Sequence, residues 1–262
     1  MPRAAALWRT VRDQRALLAA RPKALSEGPL LVGGENVADP AFELAERRLV
    51  AECLATTDLF IDVGANVGLY TAIARAKGVP VIAIEPHPVN VQYLHRTLSA
   101  NGWSDVEVWP VGVGRSAGSA PLYGGATGAS VVRGWGGVSD VYAQRVGITT
   151  LDTLLARRFD GQRLFIKIDI EGAEYDALRG AEETRHRTPR PRWLVEITLD
   201  ENRATPNEHF VDTFDLFFHA GYRAFLVSRE LQEVTRQDAV AWQSAGTIPG
   251  DARNFLFSES QP

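Results

Sequence analysis

The sequence predicts an α/β fold with a mostly parallel sheet. Three observations carry this prediction. Short β-branched and aromatic runs alternate with helical patterns from about residue 58 to residue 220, the rhythm of strands joined by right-handed helical crossovers. The run Leu59-Phe60-Ile61-Asp62-Val63 ends in the turn Gly64-Ala65-Asn66-Val67-Gly68 and then enters a helix. That strand–turn–helix unit is where such sheets hold a ligand. The chain has 262 residues, 45% hydrophobic and 23% charged, which suits one α/β domain with appendages.

The elements follow in order. Residues 4–20 read as a helix, because Ala4, Leu7, Trp8, Val11, Leu17 and Leu18 recur near a 3.6 period. Pro22 and Gly28-Pro29 end that unit, and Leu30-Leu31-Val32 forms a short strand. Asp39-Pro40 predicts a helix N-cap with Pro in the first position, the helix running to about Leu54. Strands are then expected at 58–63, 80–85, 105–111, 163–169 and 192–198. Helices are expected at about 67–77, 88–100, 149–157, 172–180 and 207–220. Strands 222–228 and 252–258 read as a closing antiparallel pair with a loop at 229–250. The expected division is an N-terminal helical extension, residues 1–40, and a ligand-binding domain, residues 41–262.

Residues 114–137 break the rhythm with glycines among Ala, Ser and Thr, and with Tyr123 and Trp135 embedded. A long glycine-rich segment at the carboxyl edge of a sheet is expected to wall or cover a substrate, the alternative being a surface excursion. Tyr123, Trp135 and Tyr142 offer faces for a sugar or a flat ring, although core packing explains aromatics equally well.

Net charge is −4 with no dense Lys/Arg tract, which argues against nucleic acid or an anionic membrane as the partner. Cys53 is the one cysteine, so no intrachain disulfide forms, in keeping with a reducing cytoplasm. Arg3, Arg9, Arg12, Asp13 and Arg15 interrupt the first twenty residues, which predicts no signal peptide. No run approaches the roughly 20 apolar residues that cross a bilayer.

The chemistry concentrates at strand tips. Asp62 would repel a dinucleotide pyrophosphate but attract the sulfonium and ammonium of S-adenosylmethionine (SAM). Gly64 and Gly68 let backbone approach the ligand, and Ala65, Asn66 and Tyr70 share the same stretch. Glu85 ends the second strand 21 residues beyond Gly64, a spacing that lets a carboxylate accept both ribose hydroxyls. Pro86 stiffens the exit and His87 follows it. Asp169 and Glu171 close the fourth strand, Gly172 permits a tight turn, and Glu174 enters the next helix, where it can serve as a dipole partner. Glu196 ends the fifth strand. Asp169, Glu171 and Glu196 can hold the SAM ammonium, take a proton, or bind Mg²⁺ or Ca²⁺, although their spacing matches no defined metal loop.

Together Asp62-Val63-Gly64-Ala65-Asn66-Val67-Gly68, Glu85-Pro86-His87-Pro88, Thr150-Leu151-Asp152-Thr153-Leu154 and Lys167-Ile168-Asp169-Ile170-Glu171-Gly172-Ala173-Glu174 resemble the FkbM-type SAM-dependent methyltransferases. Glu196, Gly128-Ala129-Ser130 and Asn254-Phe255-Leu256-Phe257 also fit, over about residues 40–258. The resemblance implies the class I methyltransferase fold, a Rossmann-like seven-stranded sheet with an antiparallel last strand. It implies methyl transfer to an oxygen, often a hydroxyl of a sugar or polyketide-type natural product. By position, Asp62, Gly64, Asn66 and Gly68 line the methionine end, Glu85 the ribose, and Asp169 faces the methyl group. The family often reads Asn-x-Ala-Leu after the third strand, whereas this chain has Pro110-Val111-Gly112-Val113, leaving Val111 and Gly112 at the adenine position.

The expected reaction is attack by a hydroxyl of a small acceptor on the SAM methyl, with Asp169, Glu171, Glu196 and then His87 as candidate bases. Methyl transfer to nitrogen and a non-catalytic SAM-fold partner subunit are the alternatives. A nicotinamide oxidoreductase would need a phosphate-tolerant Gly-x-Gly-x-x-Gly turn. The N-terminal helix lies outside the resemblance, and its expected roles are substrate capping or pairing of two copies.

Overall fold

A computed structural model describes residues 12–34, 36–125, 128–137, 143–202 and 205–260. Residues 4–11 of the predicted first helix and Tyr142 lie outside these. Residues 12–19 (α1) are helical, followed by a hairpin of β1 (Pro22–Ala24) and β2 (Leu30–Val32). Leu31 and Val32 are buried, and Val32 N donates to Thr97 Oγ1 at 3.0 Å.

Helix α2 (Leu44–Cys53) starts later than Asp39-Pro40 predicts. Asp39 Oδ1 accepts from Ala41 N at 2.8 Å, a local turn that competes with a helix start. Glu43 then takes a left-handed φ of 46°.

The expected alternation follows: β3 (Leu59–Val63), α3 (Leu69–Ala76), β4 (Val81–Ile84), α4 (Pro88–Ala100) and β5 (Glu107–Trp109). The predicted strand 105–111 is shorter than expected, Glu107–Trp109. After β5 the chain leaves the main sheet, and β6 (Gly112–Val113), β7 (Gly118–Leu122) and β8 (Gln144–Thr149) make a separate three-stranded sheet in the order β6-β8-β7. Next come α5 (Leu151–Leu155), β9 (Leu164–Ile168), α6 (Glu174–Arg179), α7 (Glu182–Arg185), β10 (Arg192–Glu196), α8 (Phe210–His219) and β11 (Arg223–Leu226). The predicted loop at 229–250 instead holds β12 (Gln232–Val234) and α9 (Arg236–Ala245) before β13 (Asn254–Ser258). A reciprocal cap between Thr235 and Asp238 starts α9, a Thr-x-x-Asp signal legible in the sequence.

The main sheet has the order β12-β11-β13-β10-β9-β3-β4-β5. The seven-stranded arrangement with a reversed last strand is present, since β13 runs antiparallel between β10 and β11. The short β12 adds an eighth strand at that edge. Strands β3, β4, β5, β9 and β10 are parallel, and helices cover both faces. The central strands are therefore apolar nearly throughout. Ile61, Ile166 and Trp193 enter one core, and Phe60, Phe165 and Leu194 the other. Phe217 and Phe257 stack at 3.8 Å under α8. Strand order reverses between β3 and β9, and a ligand crevice opens outside the carboxyl ends of strands at such a switch point. Among the described residues no helix is long and apolar enough to cross a membrane.

Candidate active site

The turn after β3 shapes the crevice floor. Gly64 has φ +85°, and a Cβ there would lie 1.8 Å from the Asp169 carbonyl oxygen, so β3 and the end of β9 touch through bare backbone. Gly64 and Ala65 donate their N–H groups to Ile84 O at 2.9 and 3.0 Å. Gly68 has φ +94° and packs against Leu94. Asn66 sits at φ 50°. We predict that Gly64→Ala lowers unfolding free energy by about 2 kcal/mol or more, the backbone strain alone costing ~1–3 kcal/mol. Urea titration monitored by circular dichroism checks this; an unchanged midpoint contradicts it.

Above the floor is a cavity of about 820 Å³, toward the upper end of the ~300–1,000 Å³ usual for ligand sites. Gly64, Ala65, Asn66, Tyr70, Glu85 and Pro86 line it, as do Val111 and Gly112 at the adenine position. Asp169, Glu171 and Glu196 line the opposite part. Asp62, Gly68 and His87 are not among its walls. Asp62 is 1% exposed, and its Oδ2 accepts from Thr71 Oγ1 at 2.6 Å. It shares a strand face with Phe60, the face covered by α3. Burial pushes its pKa up against the opposing pull of Lys167 and Thr71, and its side chain lies beneath the cavity rather than in its lining. His87 is buried at the N-cap of α4, outside the cavity lining.

Glu85 Oε2 accepts from Asn66 N at 2.9 Å, and its Oε1 from His87 N at 2.8 Å. Burial outweighs these bonds and pushes its pKa up to about 7. The buried Asn66 Oδ1 has no partner among the described residues, so it offers an acceptor to a ligand group. Backbone at Gly64 and Ala65, this orphan oxygen and Glu85 together suit the methionine and ribose parts of SAM.

Lys167 is the most deeply buried of three cavity residues that sequence reasoning missed. It pairs in register with Asp62 across β3 and β9 and is 3% exposed. Its Nζ donates to Asp169 Oδ2 at 2.7 Å and lies 4.6 Å from the Tyr70 ring centre. Burial alone would discharge Lys167, but Asp169, Glu43 and Asp62 hold its pKa above the usual value. Burial also opposes ionisation of Asp169, yet the Lys167 ammonium and a hydrogen bond with Glu196 keep Asp169 below the ordinary range. Burial and the Asp169 charge drive Glu196 well above it, so Glu196 carries the proton of the pair. A Lys-x-Asp spacing on one strand face was the available signal. Glu43, accepting from Tyr70 Oη at 2.5 Å, and Arg253, 2.7 Å from Glu201, also line the cavity; neither had a local signature.

Glu171 lies in the cavity wall with φ +56°. Burial and neighbouring Asp169 push its pKa up to about 7. Glu174 is buried beneath the turn, and its Oε1 accepts from Gly172 N at 2.9 Å and Ile170 N at 3.2 Å; it braces the turn. Asp169, Glu171 and Glu196 do not gather as an ion cage. No group of three His, Cys, Asp or Glu among the described residues is placed to hold a metal, and the Lys167 ammonium supplies the positive charge at Asp169.

A family model described as a methyltransferase FkbM domain matches residues 62–224. No curated protein matches the chain significantly. Similar solved structures include a precorrin-6y C5,15-methyltransferase from Geobacter metallireducens, 10% identical, covering 80% of this chain and 87% of that one at a TM-score of 0.42. A TehB-like SAM-dependent methyltransferase from Corynebacterium glutamicum is 12% identical over 85% of this chain and 90% of its own, with a TM-score of 0.44. A ribosomal protein L11 methylase from Lactobacillus delbrueckii subsp. bulgaricus is 10% identical over 82% and 77%, also at 0.44. The family match spans most of the chain and contains the glycine turn, Glu85, Asp169, Glu171 and Glu196: this chain belongs to the FkbM family of SAM-dependent methyltransferases.

Proposed function

We propose that the chain methylates a hydroxyl oxygen of a small polyhydroxylated molecule, a sugar or a sugar-bearing natural product. One observation carries this reading: Glu171, held in the cavity wall, has its pKa pushed up to about 7. A hydroxyl is a weak nucleophile while protonated, and a base matched to the working pH removes that proton most effectively. SAM, when bound, supplies a methyl group already activated on sulfur. The turn at Gly64–Asn66 and Glu85 hold its methionine and ribose parts, and Pro86, Val111 and Gly112 border its base. Asp169 stays ionised beside Lys167 and favours the cationic end of the ligand. Glu171 takes the acceptor proton. Glu43, Asn36, Asn202 and Arg253 add polar groups to the same cavity, as a polyol requires. Orienting the hydroxyl against a fixed partner supplies about 7–11 kcal/mol of the barrier reduction.

The test uses SAM carrying a ¹³C methyl group and a panel of sugars, amino sugars and glycosides. The expected result is release of the demethylated cofactor with a methyl-ether carbon signal on a sugar. A methyl signal on nitrogen alone overturns the oxygen acceptor. Tight SAM binding with no turnover on any acceptor favours the partner-subunit alternative.

A further inference from the structure

We propose that Trp135, in the glycine-rich segment, is a positioning residue for Glu171. The inference rests on the reading of Glu171 as the base, but the contacts between the two residues stand independently of it. Trp135 is 4% exposed and lines the cavity. Its Nε1 donates to Glu171 Oε2 at 2.6 Å. A Cβ at Gly172 would lie 2.3 Å from Trp135 Cζ3, so the indole lies directly on the bare backbone following Glu171. Ser130, five residues earlier in the same segment, donates its hydroxyl to the Glu171 carbonyl at 2.6 Å.

These contacts explain a costly backbone. A non-glycine residue at φ +56° persists only where its surroundings over-determine it. Here Ser130 takes the carbonyl of Glu171, Trp135 takes one carboxylate oxygen, and Glu174 takes the N–H groups on either side. The segment is anchored in turn. Tyr123 and Ser130 exchange backbone hydrogen bonds at 2.7 and 3.0 Å, and Gly136 N donates to Asn202 O at 2.7 Å. Oε2 is thereby committed to the indole, and Oε1 is the oxygen left for an acceptor hydroxyl. Among the described residues, the charged groups that oppose ionisation of Glu171 are Asp169 at the end of β9, Glu174 on α6 and Glu201 after β10. Lys167 answers Asp169, and Arg253 answers Glu201. The Trp135 N–H is the direct donor that favours the charged form.

The experiment follows the Glu171 carboxyl by NMR in full-length protein with ¹³C-labelled glutamate, assigned by its loss in Glu171→Gln. Trp135→Phe removes the N–H while retaining an aromatic side chain, and the Glu171 midpoint is expected to rise by about one pH unit, the size of one hydrogen bond to a charged group. Affinity for the demethylated cofactor stays unchanged. A second measurement needs no folded variant at position 135: the wild-type Trp135 indole N–H resonance should titrate near pH 7 and stop titrating in Glu171→Gln. In turnover, Trp135→Phe added to Glu171→Gln should cause no further loss. An indole signal indifferent to Glu171, or an unmoved Glu171 midpoint in Trp135→Phe, overturns the proposal. Full turnover in Glu171→Gln would instead remove the base and leave the pairing standing.

Discussion

Glu171→Gln is expected to lower turnover by about 10²–10⁴-fold while calorimetric affinity for SAM stays at the wild-type level. Gln keeps the shape and can still accept the Trp135 N–H, so the loss isolates the missing negative charge. The pH dependence has a definite sign. Glu171 is active when ionised, and its pKa lies at about 7. Wild-type rates should therefore fall about tenfold per pH unit below that value, and the variant should lack this limb. Stability runs the other way. The folded-state pKa of this acid is raised, so ionised Glu171 opposes folding as pH climbs from the unfolded value of about 4.5 toward 7. Glu171→Gln should accordingly melt higher than wild type at pH 8 and equally at pH 4. Such a trade of stability for activity is common at functional sites. Wild-type turnover in the variant would dismiss Glu171 as the base.

The second large effect belongs to Lys167→Met. Removing one partner of a buried charge pair costs about 3–5 kcal/mol, because the opposite charge is left without compensation. Here three carboxylates, Asp169, Asp62 and Glu43, depend on the same ammonium. Met fills a similar volume, so lost packing contributes little. Burial already raises Asp62 and Glu43 against the pull of Lys167; without the cation all three acids move further up, and their ionisation destabilises the variant as pH rises above the ordinary carboxylate range. The loss measured by urea unfolding should therefore be greatest at pH 8 and smaller at pH 5. A loss below about 1 kcal/mol at pH 8 would show that the Lys167 charge is not what neutralises this buried cluster.

Legibility in the sequence followed locality. The turn Gly64–Gly68 was readable because positive φ and a close approach to Asp169 O both demand glycine. Helix α4 was readable from Pro88 onward because proline suits a first turn. Helix α9 falls where a loop was expected although Thr235 and Asp238 form its cap, because Ala239 is the one residue it buries and no apolar stripe marks it. The late start of α2 was not readable: Glu43 leaves helical geometry where it meets Tyr70, a partner brought there by folding.

Asp62 marks the boundary most clearly. Its acidity and its place at a strand tip were plain, but a strand buried on both faces does not announce which face any side chain takes. Register settled that, placing Asp62 opposite Lys167 and under α3 rather than in the cavity.

By itself, then, the chain's order of residues determined the alternating architecture, the ligand-end turn and the carboxylates along the sheet edge, since each depends on backbone preference and short-range periodicity. Folding alone decided which carboxylate is ionised, which carries a proton and which is held by an indole. Those states depend on desolvation and on charges that meet only when distant strands and loops come together.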